Sequence, residues 1–165
     1  MSRYTQLDWA EQLLEHTDDD LSDPAAFDWR GLYESTIRNL REMHQEGVKI
    51  LAGSDVAVIN IFPGIGLHDE LELLVREVGM TPIEAIEAAT AGAATLLGTE
   101  TEVGTIAVGM RADLVLVSGD VATDITRTRA IELVVFGGVV YDASGLEELR
   151  EGVRSAAELT ENDWR

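Results

Sequence analysis

The chain contains no cysteine. That absence excludes disulfides, thiolate zinc sites, iron–sulfur clusters and cysteine nucleophiles together, while leaving the redox compartment open. Histidine is nearly as scarce: His16, His44 and His68 are the only three, and they form no cluster with metal-ligand spacing. Lysine occurs once, at Lys49. No apolar run approaches the roughly 20 residues needed to cross a bilayer. The opening residues, Met1 to Asp8, have neither the basic region nor the apolar core of a signal peptide. Cytoplasmic residence is the expectation.

What is abundant is negative charge. The sequence carries 31 acidic residues against 12 basic ones, a formal net charge of -19. Such a surface repels phosphate backbones and anionic lipid, so neither nucleic acid nor a membrane surface is expected as a partner. A carboxylate-rich, lysine-poor surface suits a salt-rich cytoplasm, where screening relieves self-repulsion, and it equally suits an ordinary acidic protein. At 165 residues and 45% hydrophobic content, the chain can bury a core of one modest domain.

Residues 1–28 read as an acidic lead-in, with a short helix over Trp9 to Leu14 and a turn-like stretch from Thr17 to Pro24. From Trp29 to Gln45, Leu32, Tyr33, Ile37 and Leu40 recur at helical spacing, and Gly47 supplies a stop. Val48 to Gly53 then reads as a buried parallel strand with Ser54 and Asp55 at its C-terminal end. Val56 to Gly66 is an apolar loop, in which Asn60 and Pro63 suit a pocket rim. Leu67 to Val78 is a helix whose Asp69, Glu70 and Glu72 form a charged face. Thr81, Pro82 and Glu84 open another helix that runs through Ala94 or Leu97, with Gly92 its weak point.

Beyond Gly98 the pattern turns to β-structure. Leu114 to Val117 is a strand, and Ile131 to Phe136 pairs with Val139 to Tyr141 through a Gly137-Gly138 hairpin turn. Leu146 to Leu159 reads as a helical tail ahead of Trp164. The expected divisions are therefore 1–28 lead-in, 29–100 strand with flanking helices, 101–145 β-piece and 146–165 tail. The parallel strand has no parallel partner in the chain, and a naked strand edge is a liability. The sequence reads as part of something bigger, or as a protein completed by another copy.

Three stretches, in order, resemble the C-terminal part of the amidohydrolase superfamily, nearest its imidazolonepropionase-like and prolidase-like members. They are Gly47 to Asp55; Leu67 to Val75 with Gly79 to Thr90 and Ala94 to Gly98; and Gly104 to Val117 with Asp124, Ile125 and the Gly137-Gly138 hairpin. The resemblance covers about Trp29 to Asp142. It implies an α/β fold: the incomplete C-terminal segment of a TIM-like (β/α)8 barrel plus part of a small β-sandwich, with the active site at the barrel's C-terminal mouth.

On that resemblance Asp55 matches the aspartate that binds metal and acts as general base on the metal-bound water. Read from its own neighbourhood, Asp55 could simply cap the following loop. His68 resembles a histidine close to the mouth, where it would meet substrate; alternatively it is a polar first-turn helix residue. Asp113, Gly109, Gly137 and Gly138 match structural turn positions, with Asp113 accepting backbone hydrogen bonds. The family's early His-x-His pair, its bridging lysine and its two further histidines have no counterpart here, and Lys49 lies inside the strand. The implied cofactor is a divalent metal, zinc foremost, in a complete enzyme; this chain alone carries too few ligands for one.

Two functions follow. One is metal-dependent hydrolysis of carbon–nitrogen bonds in non-peptide amides or dipeptides, with a small-molecule substrate and no activity in the isolated chain. The other is a non-catalytic remnant that self-associates as a homo-oligomer or binds a partner supplying the missing N-terminal barrel portion.

Overall fold

The computed structural model describes residues 28–55 and 64–163. The short helix, the acidic turn, His16, Asn60, Pro63 and Trp164 of the sequence reading lie outside them. Helix α1 spans Trp29–Gln45, as the apolar spacing predicts. The Asp28 carboxylate caps it by accepting the Gly31 backbone N–H at 2.7 Å. Gly47, with φ of 77°, turns the chain out of the helix.

Helix α2 begins earlier than the sequence suggests, at Ile65, and runs to Leu73. It continues directly into a π turn over Leu74–Val78, which ends at Gly79 with φ of 93°. The Arg41 guanidinium on α1 donates to the Glu77 carbonyl at 2.6 and 3.2 Å, satisfying an orphan acceptor at that end. Helix α3, Pro82–Ala89, has the capping box its sequence announces: Thr81 Oγ1 accepts the Glu84 N–H, and Glu84 Oε2 accepts the Thr81 N–H at 2.7 Å.

The expected single helix from Thr81 to Leu97 is two. The break falls at Thr90, where α4, Ala91–Leu97, departs, and not at Gly92. The Thr90 hydroxyl donates to the Ile86 carbonyl at 2.7 Å, a back-bond that bends helices. Gly92 serves packing instead: a Cβ there would stand 2.7 Å from Leu51 Cδ2 and 3.0 Å from the Glu87 carbonyl oxygen.

Leu71, Leu74, Val78, Met80, Ala85, Ala88 and Ile125 make up the core, with Leu40, Ile50 and Ala52 packed against it. Each large side chain buried there contributes about 1.5–3 kcal/mol. Val48 to Gly53 packs against this core through Ile50 and Ala52 without regular secondary structure, so it is not the parallel strand expected. A strand needs a neighbour's hydrogen-bond ladder; here the Ala52 N–H reaches the Ala88 carbonyl of a helix at 3.4 Å instead.

The β-piece is an open three-stranded antiparallel sheet, β1 (Leu114–Val117), β2 (Ile131–Phe136) and β3 (Val139–Tyr141), in the order β1-β2-β3. Leu114 faces Val135, and Phe136 faces Val139, which leaves Gly137-Gly138 as the two-residue turn of the expected hairpin. Asp113 clamps its turn: Oδ1 accepts the Gly137 N–H at 2.7 Å, while Oδ2 accepts from Arg111 Nε at 2.6 Å. These contacts hold the Asp113 carboxyl below the usual carboxylate range, the Gly137 amide foremost. Helix α5, Ala143–Asp163, packs on β2 and β3. Among the described residues no second sheet faces the first, and Val115, Leu116, Phe136, Val139 and Val140 remain exposed.

Candidate functional site

Between β1 and β2 lies a 3-10 turn, Ile125–Arg129. Its sequence is one apolar anchor, Ile125, followed by four polar residues. Asp124 caps the turn, accepting from the Thr126 amide at 3.1 Å and hydroxyl at 2.6 Å. Ile125 is buried in the helical core, so the turn is the plug that docks the β-piece onto α2.

Arg129 then reaches the face of α2. Its Nε donates to Glu72 Oε1 at 2.7 Å, and its Nη2 donates to Asp69 Oδ1. Asp69 is fully buried and Glu72 nearly so, whereas the sequence reading made them part of a charged helix face. Their i, i+3 spacing puts both carboxylates on one side of the helix, where a single guanidinium spans them. Burial works against the Arg129 charge, but the hydrogen bonds to Glu72 and Asp69 outweigh it and raise its pKa. A buried carboxylate pair without that cation would be very costly.

His68 sits at the edge of this cluster, half-buried. Its Nδ1 lies 3.0 Å from Thr128 Oγ1. Burial and the adjacent Arg129 cation depress its pKa, with Asp69 and Glu72 opposing. The ring is therefore neutral near neutral pH.

Glu70 points away from Arg129. At about 100° per residue it lies on a different flank of α2 from Asp69 and Glu72, and its carboxylate meets the Gly53 backbone N–H. Burial raises its pKa, and that contact partly offsets the rise. Glu70 thus ties α2 to the chain segment two residues before Asp55. Asp55 itself is exposed, with φ of 47°, the only non-glycine residue with positive φ among the described residues. Aspartate tolerates the left-handed region, at a cost of about 1–2 kcal/mol.

The sequence-derived candidates are thus joined indirectly. Asp55 ends the segment that Glu70 holds, and His68 lies on the same helix as Glu70 but has Thr128 as its hydrogen-bond partner. Sequence reasoning missed Glu70, Thr128 and Arg129. The available signal was the i, i+3 acidic pair flanked by core leucines, which calls for a buried cation. His44 and Lys49 lie elsewhere, in an open groove of about 430 Å³ lined also by Glu84 and Glu87.

A metal does not fit these residues. Among the described residues no group of three or more histidines, aspartates or glutamates is arranged to hold one. Asp69 and Glu72 are committed to Arg129, and His68 Nδ1 to Thr128.

The sequence model of the Amidohydrolase family matches residues 28–141. Ochratoxinase from Aspergillus niger is 30% identical over 130 residues, covering 76% of this chain and 26% of that protein. The chain spans about a quarter of the length of the curated relatives it matches. Among solved structures, a Xaa-Pro dipeptidase with methionine bound in its active site superposes with a TM-score of 0.57 at 32% identity, over 65% of this chain and 25% of that one. The crystal structure of A. niger ochratoxinase gives 0.59 at 29% identity, over 70% and 26%. Molinate hydrolase gives 0.56 at 29% identity, over 66% and 27%.

Proposed function

Because the chain belongs to the amidohydrolase family, we propose that it forms one wall of a hydrolytic site for carbon–nitrogen bonds of amides or dipeptides. Asp55 is the catalytic group in this reading. The support is its strained, left-handed position at the end of a segment that Glu70 ties to the helix carrying His68. A left-handed non-glycine residue persists where its surroundings impose it, and such residues cluster at functional sites.

The reaction requires a water oxygen to bond to the carbonyl carbon and the carbon–nitrogen bond to break. The Asp55 carboxylate takes the proton from that water and gives it to the leaving nitrogen. His68 lines the substrate side. A divalent metal, with zinc the natural choice, would need its ligands from residues beyond those described, from a second copy or from a separate polypeptide. The isolated chain is accordingly inactive. Prolidase-like chemistry is preferred over imidazolonepropionase-like chemistry, given the similarity to a Xaa-Pro dipeptidase.

In the same reading, residues 29–100 form the catalytic wall and 101–145 a separate β unit docked through the 3-10 turn. A second function, as a non-catalytic partner-binding or self-associating protein, is favoured by one observation: the apolar side chains left exposed on the sheet.

Elemental analysis of the purified chain, with native mass from the same sample, separates the two. Near-stoichiometric divalent metal that disappears in Asp55→Ala supports the hydrolytic site. A stably folded, metal-free oligomer indifferent to that substitution would overturn it in favour of the second function.

A further inference from the structure

We propose that Thr128 is a positioning residue that fixes the tautomer of His68, holding the proton on Nδ1 and leaving the lone pair on Nε2. The argument is a count of protons. The Thr128 hydroxyl has one proton and two neighbours: the Ile125 carbonyl at 2.9 Å and His68 Nδ1 at 3.0 Å. A carbonyl can only accept, so the hydroxyl donates to Ile125. The remaining contact then requires the ring nitrogen to be the donor. In the opposite tautomer both neighbours are acceptors competing for a single proton, and one contact is lost.

The surroundings keep this arrangement in place. Thr128 sits in a five-residue turn anchored on one side by buried Ile125 and on the other by Arg129, which is bound to Asp69 and Glu72. Asp69 is the next residue after His68 on α2, so ring and hydroxyl belong to two elements locked at the same point. Arg129, Asp69 and Glu72 are the charged groups acting on the ring. The neutral ring has one N–H, and Thr128 decides which nitrogen carries it. The nitrogen bearing the lone pair is then Nε2, an acceptor for an N–H or O–H donor. That an amide substrate supplies this donor rests on the proposed function; the tautomer does not.

The test is long-range proton–nitrogen correlation on the full chain labelled with nitrogen-15 histidine, recorded above the pH at which His68 titrates. His16 and His44 serve as internal references in the same spectra. The Nδ1–H form should dominate for His68. In Thr128→Val the ratio of Nδ1–H to Nε2–H should fall about fivefold, the factor one ordinary hydrogen bond sets, and Thr128→Ser should restore it. Circular dichroism confirms that each variant is folded. An unchanged ratio in folded Thr128→Val, or a dominant Nε2–H form in the unsubstituted chain, would overturn the assignment. Failure of the hydrolytic reading would show as a metal-free chain indifferent to Asp55→Ala while leaving this ratio intact.

Discussion

Arg129 and Asp69 lie 60 residues apart in sequence, and their ion pair joins the β-piece to helix α2. Asp69 is almost wholly buried, while Arg129 keeps a third of its side chain in water. Arg129→Ala should therefore cost about 3–5 kcal/mol, because it leaves a buried carboxylate unpaired. Removing all three charges together, as Arg129→Met with Asp69→Leu and Glu72→Leu, should cost far less. Urea denaturation of the two variants checks this; equal losses would mean that apolar contacts around Ile125, not the ion pairs, carry the docking.

The pH dependence of stability has two opposing contributions. His68 has a lowered pKa in the folded state, so between that value and 6.5 the unfolded chain binds more protons. Stability should then fall as pH drops from 6.5 through the folded pKa. Glu70 has a raised pKa, so its contribution is fully present below 4.5 and is lost as pH climbs through the folded value. His68→Gln should flatten the first limb and Glu70→Gln the second. Denaturation midpoints across pH 4 to 7 are the readout, and a His68→Gln profile parallel to that of the unsubstituted chain would contradict the first assignment.

What was legible in the sequence is what neighbours in sequence decide. The α3 cap needs only Thr81 and Glu84, three residues apart. The hairpin needs Gly137 and Gly138, whose φ values of 57° and 82° suit a tight turn, and the β-branched runs on either side of them. The stretch Val48 to Gly53 failed as a strand because strand identity belongs to the partner, and its nearest acceptor here is a helix carbonyl. Asp69 and Glu72 were misjudged for the same reason: their cation comes from a distant turn. Nothing in Leu74–Val78 marks the π turn over an ordinary helical one. Asp55 stood out only through a family resemblance, since aspartate tolerates the left-handed region without being confined to it.

Gly92 offers a test of the packing between α4 and the segment leading to Asp55. Gly92→Ala inserts a methyl against Leu51 and the Glu87 carbonyl. Backbone cannot yield as a flexible side chain does, so the variant should lose about 1–3 kcal/mol. This outweighs the gain in helix propensity that alanine brings, about 1 kcal/mol. A thermal melt decides the sign; a higher midpoint would mean that α4 simply shifts away from Leu51.

Glu70→Gln also addresses how the segment before Asp55 is held. The amide of glutamine still presents an oxygen to the Gly53 N–H, whereas Glu70→Ala removes the acceptor. Hydrogen exchange at Gly53 should therefore accelerate several-fold in the alanine variant and little in the glutamine one, since the lost contact is worth on the order of 1 kcal/mol. The amides of α1, remote from the change, provide the reference. If both variants exchange at the unsubstituted rate, Glu70 does not restrain the segment, and the conformation of Asp55 must be set by the Ala52–Ala88 hydrogen bond and the packing of Leu51 against Gly92 instead.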